Sequence, residues 1–463
     1  MSHSHSHDEA SSHSHSHDHS DPNHVCGGPR EPTPQEIEAS KAERKAFDAV
    51  LRCFYQYEAY SLSANNRRLK DLLSLSKPHQ AILNKLKYRE KLSKVDDAIR
   101  VNADFLREIA DTVGSSMFGD EDEEDEEEDE DEDEDDEDLD AYYDDLDTSS
   151  PAPPHQHHSH SHDEPHDHSH GGVSSHHHMH EESAKKEKKE AEKKELLSRK
   201  SSESDMDKMR STIKQFVRDW SVEGRPERDA AYKPIMDVIE SQFGHIPKEE
   251  RADVKILTPG AGLARLAYDI ALQGYASQGN EFSFFMLLCS FFILNRTTAP
   301  LCHTIHPYIH TFSNQTSTEA LLRPIRIPDV NPADLPKGSD FSLIAGDFLE
   351  VYGSGDEDQE WDCVATSFFI DTAKNVVEYL ETIYRVLKPG GIWINLGPLL
   401  WHWENNSSKD VSVELSLDEV KALVAEVGFE IKEESTVPSG YTGNSEGMLK
   451  YQYEAACWTA IKK

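Results

Sequence analysis

The chain is poor in cysteine, and no two of its cysteines are spaced to act together. Six are scattered over 463 residues, at positions 26, 53, 289, 302, 363 and 457, with no CxxC pair. That spacing implies no disulfide framework, and free thiols in a reducing interior are expected. Long apolar runs are missing too. The nearest candidate, residues 282–294, falls short of the roughly 18 residues that a membrane span needs. No signal-peptide pattern opens the sequence, so a cytoplasmic protein with no membrane partner is expected. Nuclear residence stays open, because the Lys-rich stretch near 185 is interrupted by Glu and makes a poor import signal. Basic charge is also scarce, with 48 Lys and Arg against 88 Asp and Glu. No nucleic-acid partner is expected.

The acid is not evenly spread. Residues 120–138 are an unbroken acidic run, and with Asp140, Asp144, Asp145 and Asp147 they supply more than half of the net charge of −40. Such a run repels itself and has almost nothing apolar to bury, so disorder is expected. Residues 1–32 alternate His with Ser and Asp, and a second His-rich stretch covers 155–180. Imidazole is a good borderline ligand, so loose metal binding is conceivable there. A catalytic metal is not, because nothing in a floppy tract fixes its ligands. Between the tracts, residues 33–113 read as a helical region. Ala46, Val50, Leu51, Phe54 and Tyr57 follow one amphipathic stripe, and Ile82, Leu83, Leu86, Leu92 and Val95 a second. A third helix is expected around residues 98–113. This region is expected to pack on the domain that follows, and it is a candidate homodimer interface. Residues 114–206 read as a disordered insertion and 207–463 as the folded catalytic domain.

From 207 onward strands alternate with helices, which implies an α/β domain with a largely parallel, Rossmann-like sheet. The informative stretch is VKILTPGAGLARLAYDIA. A short strand runs into Gly260-Ala261-Gly262, and a helix follows whose free N–H groups suit an anionic ligand. Glycine at such a turn lets a ligand approach the backbone closely. About 20 residues on, a second strand ends in Gly279-Asn280-Glu281, where a carboxylate can accept hydrogen bonds from both hydroxyls of a ribose. The third glycine of the dinucleotide fingerprint is replaced by Arg265. That disfavours a pyrophosphate and leaves a single nucleoside, such as that of S-adenosylmethionine. Asp347 and Phe348, at another strand end, offer a carboxylate and a ring for the adenine; the alternative for Phe348 is ordinary core packing. Asp371 lies at the mouth of the expected central strand, residues 361–371, with helix capping as its alternative role. Gln215 and Arg218, three apart on one helix, could meet a cofactor carboxylate or make a surface salt bridge.

The segments IKQFVRDWSVEGRPERDAAY, TPGAGLARLAYDIALQGYASQGNEFSFFMLLCSFFILNR, FSLIAGDF and WDCVATSFFIDTAKNVVEYLETIYRVLKPGGIWINLGPLLWHWEN closely resemble carnosine N-methyltransferases. The resemblance covers nearly all of 207–463 and, more weakly, residues 47–113. It implies a class I methyltransferase fold and methyl transfer from S-adenosylmethionine to the imidazole of carnosine, giving anserine. Carried over by motif, it implies cofactor contacts at Gln215, Arg218, Gly260, Glu281, Asp347, Phe348 and Cys363. It implies an imidazole site of Asp371, His402 and Tyr453, and no metal. Two departures are Ala264, where the family often has glycine, and the flanking aromatics of Trp401-His402-Trp403.

Three functions remain in competition: methylation of a histidine dipeptide, methylation of histidine in a peptide or protein, and a non-catalytic interaction or metal-buffering role on a methyltransferase fold. Excising residues 119–200 separates the first two. A dipeptide enzyme keeps its rate on carnosine; an enzyme that recruits a basic protein through the acidic run loses activity on that protein.

Overall fold

The computed structural model describes residues 33–113, 191, 193–355, 358–406 and 410–463. The acidic run and both His-rich tracts, with the disorder and the metal binding expected of them, fall outside the described residues. Residues up to Phe47 and residues 48–463 form two separate units. In the first, the chain is helical from Pro34, the start of α1 (Pro34–Ser74).

In the second unit, the rest of α1 is followed by α2 (Lys77–Lys85) and α3 (Tyr88–Val113). Of the first expected stripe, Leu51, Phe54 and Tyr57 are buried at 9% exposure or less, Val50 is half-buried and Ala46 is exposed. The second is split in two. Lys87 takes φ +59° between α2 and α3, which breaks the helical phase. Leu92 and Val95 are therefore buried, while Ile82 and Leu86 face solvent. Phe105 of α3 packs edge-on against Phe216 and Phe292 at 5.3 and 5.8 Å, so this region does pack on the following domain.

The insertion ends earlier than the sequence suggests. Arg52 Nε donates to the Leu196 carbonyl at 2.8 Å, and Gln56 Nε2 donates to that of Arg199 at 2.6 Å. Ser202 then caps α4 (Glu203–Trp220), its side chain accepting from Asp205 N–H. The expected boundary at 207 thus falls inside a helix, and an excision of the insertion is better stopped at 190.

After α5 (Arg225–Phe243), the strands β1 (Lys255–Pro259), β2 (Ala276–Glu281), β5 (Phe341–Ala345), β6 (Trp361–Ser367), β7 (Leu387–Gly397), β8 (Phe429–Ser439) and β9 (Tyr453–Lys462) form one sheet in the order β5-β2-β1-β6-β7-β9-β8. The first five pair in parallel and the last two antiparallel. A small ribbon of β3 (His303–Ile305) and β4 (Ile325–Ile327) lies apart. Parallel pairing requires helices on both faces. One face holds α5 and α6 (Arg265–Leu272), where Ile235, Ile270 and Leu266 meet Ile256, Cys363 and Ile392. The other holds α9 (Phe348–Tyr352), α10 (Val376–Val386) and α11 (Leu417–Val427), packed on Leu257, Val364 and Trp393. The helix α7 (Phe284–Arg296) precedes the ribbon in sequence, and the short α8 (Thr318–Leu322) lies between its two strands. Strand order reverses between β1 and β6, so the crevice for a ligand opens at their carboxyl ends. Among the described residues no helix is long and apolar enough to cross a membrane.

A buried polar seam joins α1 and α3 to the segment after β3. Asn102 Nδ2 donates to Tyr57 Oη and to the His306 carbonyl, both at 2.9 Å, and His306 N–H donates back to Asn102 Oδ1. Tyr57 Oη lies 2.8 Å from Nε2 of His310. Burial first, and then Arg210, Lys214 and Arg68, lower the His310 pKa to about 3. A folded-state pKa below the unfolded value near 6.5 means that His310 stabilises the fold fully above about pH 6.5 and that this is lost as pH falls toward 3. Urea unfolding at pH 7.5 and pH 5 should show that loss in the wild type and a smaller one in His310→Gln.

Candidate functional site

A cavity of about 720 Å³ opens at the carboxyl ends of β1, β2 and β6, lined by Gln215, Arg218, Gly260, Gly262, Glu281, Asp347, Phe348 and His402 among others. All but Gly262 are sequence-chosen contacts, and Gly262 belongs to the same turn.

The turn after β1 runs close to a ligand for steric reasons. Gly260 has φ +66°, and a Cβ there would meet the Phe369 ring at 2.6 Å. Gly262 has φ +56° with only Gln215 Nε2 near, so its open side faces the cavity. Ala264 also sits in the left-handed region, at φ +62°, where glycine is the easier residue. Glu281 is the last residue of β2 and ties the turn to the next helix. Its Oε2 accepts from Gly262 N–H at 2.7 Å, and its Oε1 from Ser283 N–H at 2.8 Å. Burial raises its pKa even against those N–H groups. Asp347 caps α9 through Leu349 N–H at 2.8 Å. Phe348 packs in the core and also borders the cavity. Its ring lies 5.3 Å from both Phe369 and Tyr379.

Gln215 and Arg218 are each 4% exposed, which excludes a surface salt bridge. Gln215 Nε2 donates to Asp219 Oδ2 at 3.0 Å. Arg218 Nη1 donates to Tyr232 Oη at 3.1 Å and approaches Asp219 Oδ1 at 3.3 Å. Its Nε and Nη2 have no hydrogen-bond partner among the described residues. Unpaired nitrogens on a buried cation are costly, so their presence in a cavity wall points to a ligand that pairs them. Arg265 supports this arrangement from below. Its Nη1 donates to the Asp219 carbonyl at 2.8 Å and to Asp329 Oδ1 at 2.6 Å, and its guanidinium lies 5.0 Å from the Trp220 ring. Arg228 reaches the carbonyls of Arg218, Asp219 and Ser221. Two guanidinia thus cap the carboxyl end of α4, where cations are favoured.

The other three chosen residues lie outside the cavity lining. Cys363 is a correction. It sits early in β6, fully buried on the α5 and α6 face, paired with Ile256 and Ile392, and burial raises its pKa strongly. The strand's mouth is Ser367, four residues on, whose buried Oγ has no hydrogen-bond partner among the described residues and which does line the cavity. Asp371 lies in the turn Ile370–Thr372 at 2% exposure. Its Oδ2 accepts from Leu400 N–H at 2.8 Å and its carbonyl from His402 N–H at 3.0 Å, so it fixes the segment that carries His402. Burial raises the Asp371 pKa. Tyr453 opens β9 and packs 6.2 Å from the Phe368 ring, which itself lines the cavity.

Sequence reasoning missed Tyr441, in an irregular loop with no periodicity to read. Its ring lies 4.9 Å from the Arg218 guanidinium and 5.0 Å from Phe368. Glu227 of α5 holds that loop by accepting from the N–H groups of Thr442 and Gly443, while lying 3.8 Å from Arg218 Nε. Further along, Met448 N–H donates to the Asn314 carbonyl, and Arg323 pairs with Glu446 at 3.1 Å.

The family model for carnosine N-methyltransferase matches residues 196–463. A protein of that name from Mus musculus is 52% identical over 265 residues, covering 57% of this chain and 64% of its own length. One from Schizosaccharomyces pombe is 44% identical over 264 residues, covering 55% and 70%. One from Dictyostelium discoideum is 42% identical over 260 residues, covering 55% of each. The chain thus spans somewhat less than two thirds of the length of the mouse relative.

If Glu227 holds the Tyr441 loop, Glu227→Ala should speed hydrogen exchange at the Thr442 and Gly443 amides by about tenfold, the equivalent of one hydrogen bond to a charged group. Unchanged exchange there would contradict that role.

Proposed function

The chain belongs to the carnosine N-methyltransferase family, and from that premise we propose that it transfers a methyl group from S-adenosylmethionine to an imidazole nitrogen of carnosine, giving anserine, or of a related histidine dipeptide. The observation that carries the reading is the buried Arg218 fork, whose Nε and Nη2 are unpaired at the wall of a cavity that also presents Glu281 and Asp347. A planar pair of N–H donors matches a carboxylate bidentately. Arg218 therefore holds the amino-acid carboxylate of S-adenosylmethionine, and Asp219 and Tyr232 keep the guanidinium pointed at it. Glu281 holds the ribose, the open side of Gly262 admits the chain between them, and Asp347 and Phe348 hold the adenine. When bound, S-adenosylmethionine supplies a methyl group on an electron-poor sulfur.

An imidazole with a pKa near 6.5 is about three quarters neutral at pH 7, so no strong base has to act before attack. What this chain must supply is alignment and stabilisation of the imidazolium that forms. His402 orients the acceptor ring from the cavity wall. Asp371 acts from behind the lining as a positioning residue, its carbonyl holding His402 and its Oδ2 holding Leu400. Tyr453 backs the Phe368 ring, which lines the cavity together with Tyr441 and Trp403.

The reaction is tested by mass spectrometry of products formed from isotopically labelled cofactor and a panel of histidine dipeptides. Labelled anserine is the expected product from carnosine, and no labelled dipeptide at all would refute the reading. In the same assay Asp371→Asn should lower kcat on the order of 100-fold while leaving cofactor affinity nearly intact. An equal loss of both would assign Asp371 to the fold alone.

A further inference from the structure

The cavity wall carries a cation that the proposed reaction leaves unused. Among the residues lining the cavity, Arg and Lys are represented by Arg218 and Lys374. Arg218 is fully taken up with the cofactor's carboxylate in the reading above. Lys374 follows the turn Ile370–Thr372 and leads into α10, half-exposed. Its Nζ lies 4.4 Å from the centre of the Trp403 ring and 2.6 Å from Asp410 Oδ1. Trp403 is held in turn, its Nε1 donating to the Thr372 carbonyl at 3.1 Å, and His402 precedes it in the chain. The lysine, the ring and His402 therefore form one rim of the cavity.

A histidine dipeptide brings a free carboxylate as well as an imidazole. The same wall holds the carboxylates of Glu281, Asp347 and Glu378, so an incoming carboxylate is repelled from most of it. We infer that Lys374 is a specificity-determining residue, whose ammonium, seated on Trp403, receives the free carboxylate of the acceptor in place of Asp410. The inference rests on the proposed reaction. The exchange is easy because a half-exposed lysine–aspartate pair is weakly held, and the ring keeps the ammonium in position while its partner changes. Asp410 thus marks where the substrate's carboxylate sits. An anchor several bonds away from the imidazole also restricts how the ring can rotate against His402, which favours one presentation of it.

The test compares carnosine with its carboxamide, at saturating S-adenosylmethionine, in the wild type, Lys374→Met and Lys374→Arg. The wild type is expected to prefer the free acid by about fivefold in kcat/KM, carried by KM, the size of a half-exposed ion pair. Lys374→Met should treat the two compounds alike, and Lys374→Arg should keep the preference. Calorimetric titration with S-adenosylmethionine, unchanged in all three, establishes that the variants are folded. Equal rates on acid and amide in the wild type, or a preference that survives in Lys374→Met, would overturn the role of Lys374 and leave the reaction standing. Absence of methyl transfer to either compound by the wild type would overturn the reaction and this inference together.

Discussion

A buried guanidinium with two of its three nitrogens left without a hydrogen-bond partner among the described residues is the constraint around which this site is arranged. Arg218 sits at 4% exposure near the end of a helix, and its charge is balanced locally by Asp219 and, more distantly, by Glu227. An arginine in that position is tolerable only if its surroundings are rigid and polar. The surroundings supply this in layers. Tyr232 donates to Asp219 while accepting from Arg218, the rings of Tyr232 and Tyr441 lie at 4.9 Å, and Arg228 and Arg265 anchor the helix end through Asp329. Trp220 completes the link by donating to the Leu263 carbonyl, so the glycine turn and the arginine helix are fixed to each other.

The same logic explains why the helices of residues 48–113 belong with the sheet. They brace the segment after β3 through Asn102, Tyr57 and Arg68. That segment in turn holds the loop of residues 440–448 through Asn314, Thr316 and Arg323, and the loop carries Tyr441 against Arg218. Support for the cofactor end of the cavity thus extends from the sheet edge to α1 and α3.

The parallel sheet, the glycine turn and the acidic end of β2 were legible in the sequence because each rests on local rules: alternation of strands with helices, the steric need for glycine, and a fixed spacing. Arg265 was legible only in part. Its presence argued against a pyrophosphate, but its partners at Asp219 and Asp329 are far away in sequence and left no local trace. Cys363 was misplaced because a motif match does not say which face of a strand a residue occupies; in β6 the alternation puts it under α5 and α6. Tyr441 was missed because irregular loops have no period, and its position is set by Glu227, more than two hundred residues earlier. Lys87 split the second helical stripe by a single backbone angle that no side-chain pattern encodes.

The account stands or falls on what the unpaired Nε and Nη2 of Arg218 are for. Calorimetric titration of the full-length chain with S-adenosylmethionine and with its decarboxylated analogue measures this directly, since the two ligands differ only in the group assigned to that fork. Loss of the carboxylate should weaken binding on the order of 100-fold, the effect of removing one partner from a buried charge pair. Equal affinity for the two would contradict the assignment of the cofactor's tail to Arg218.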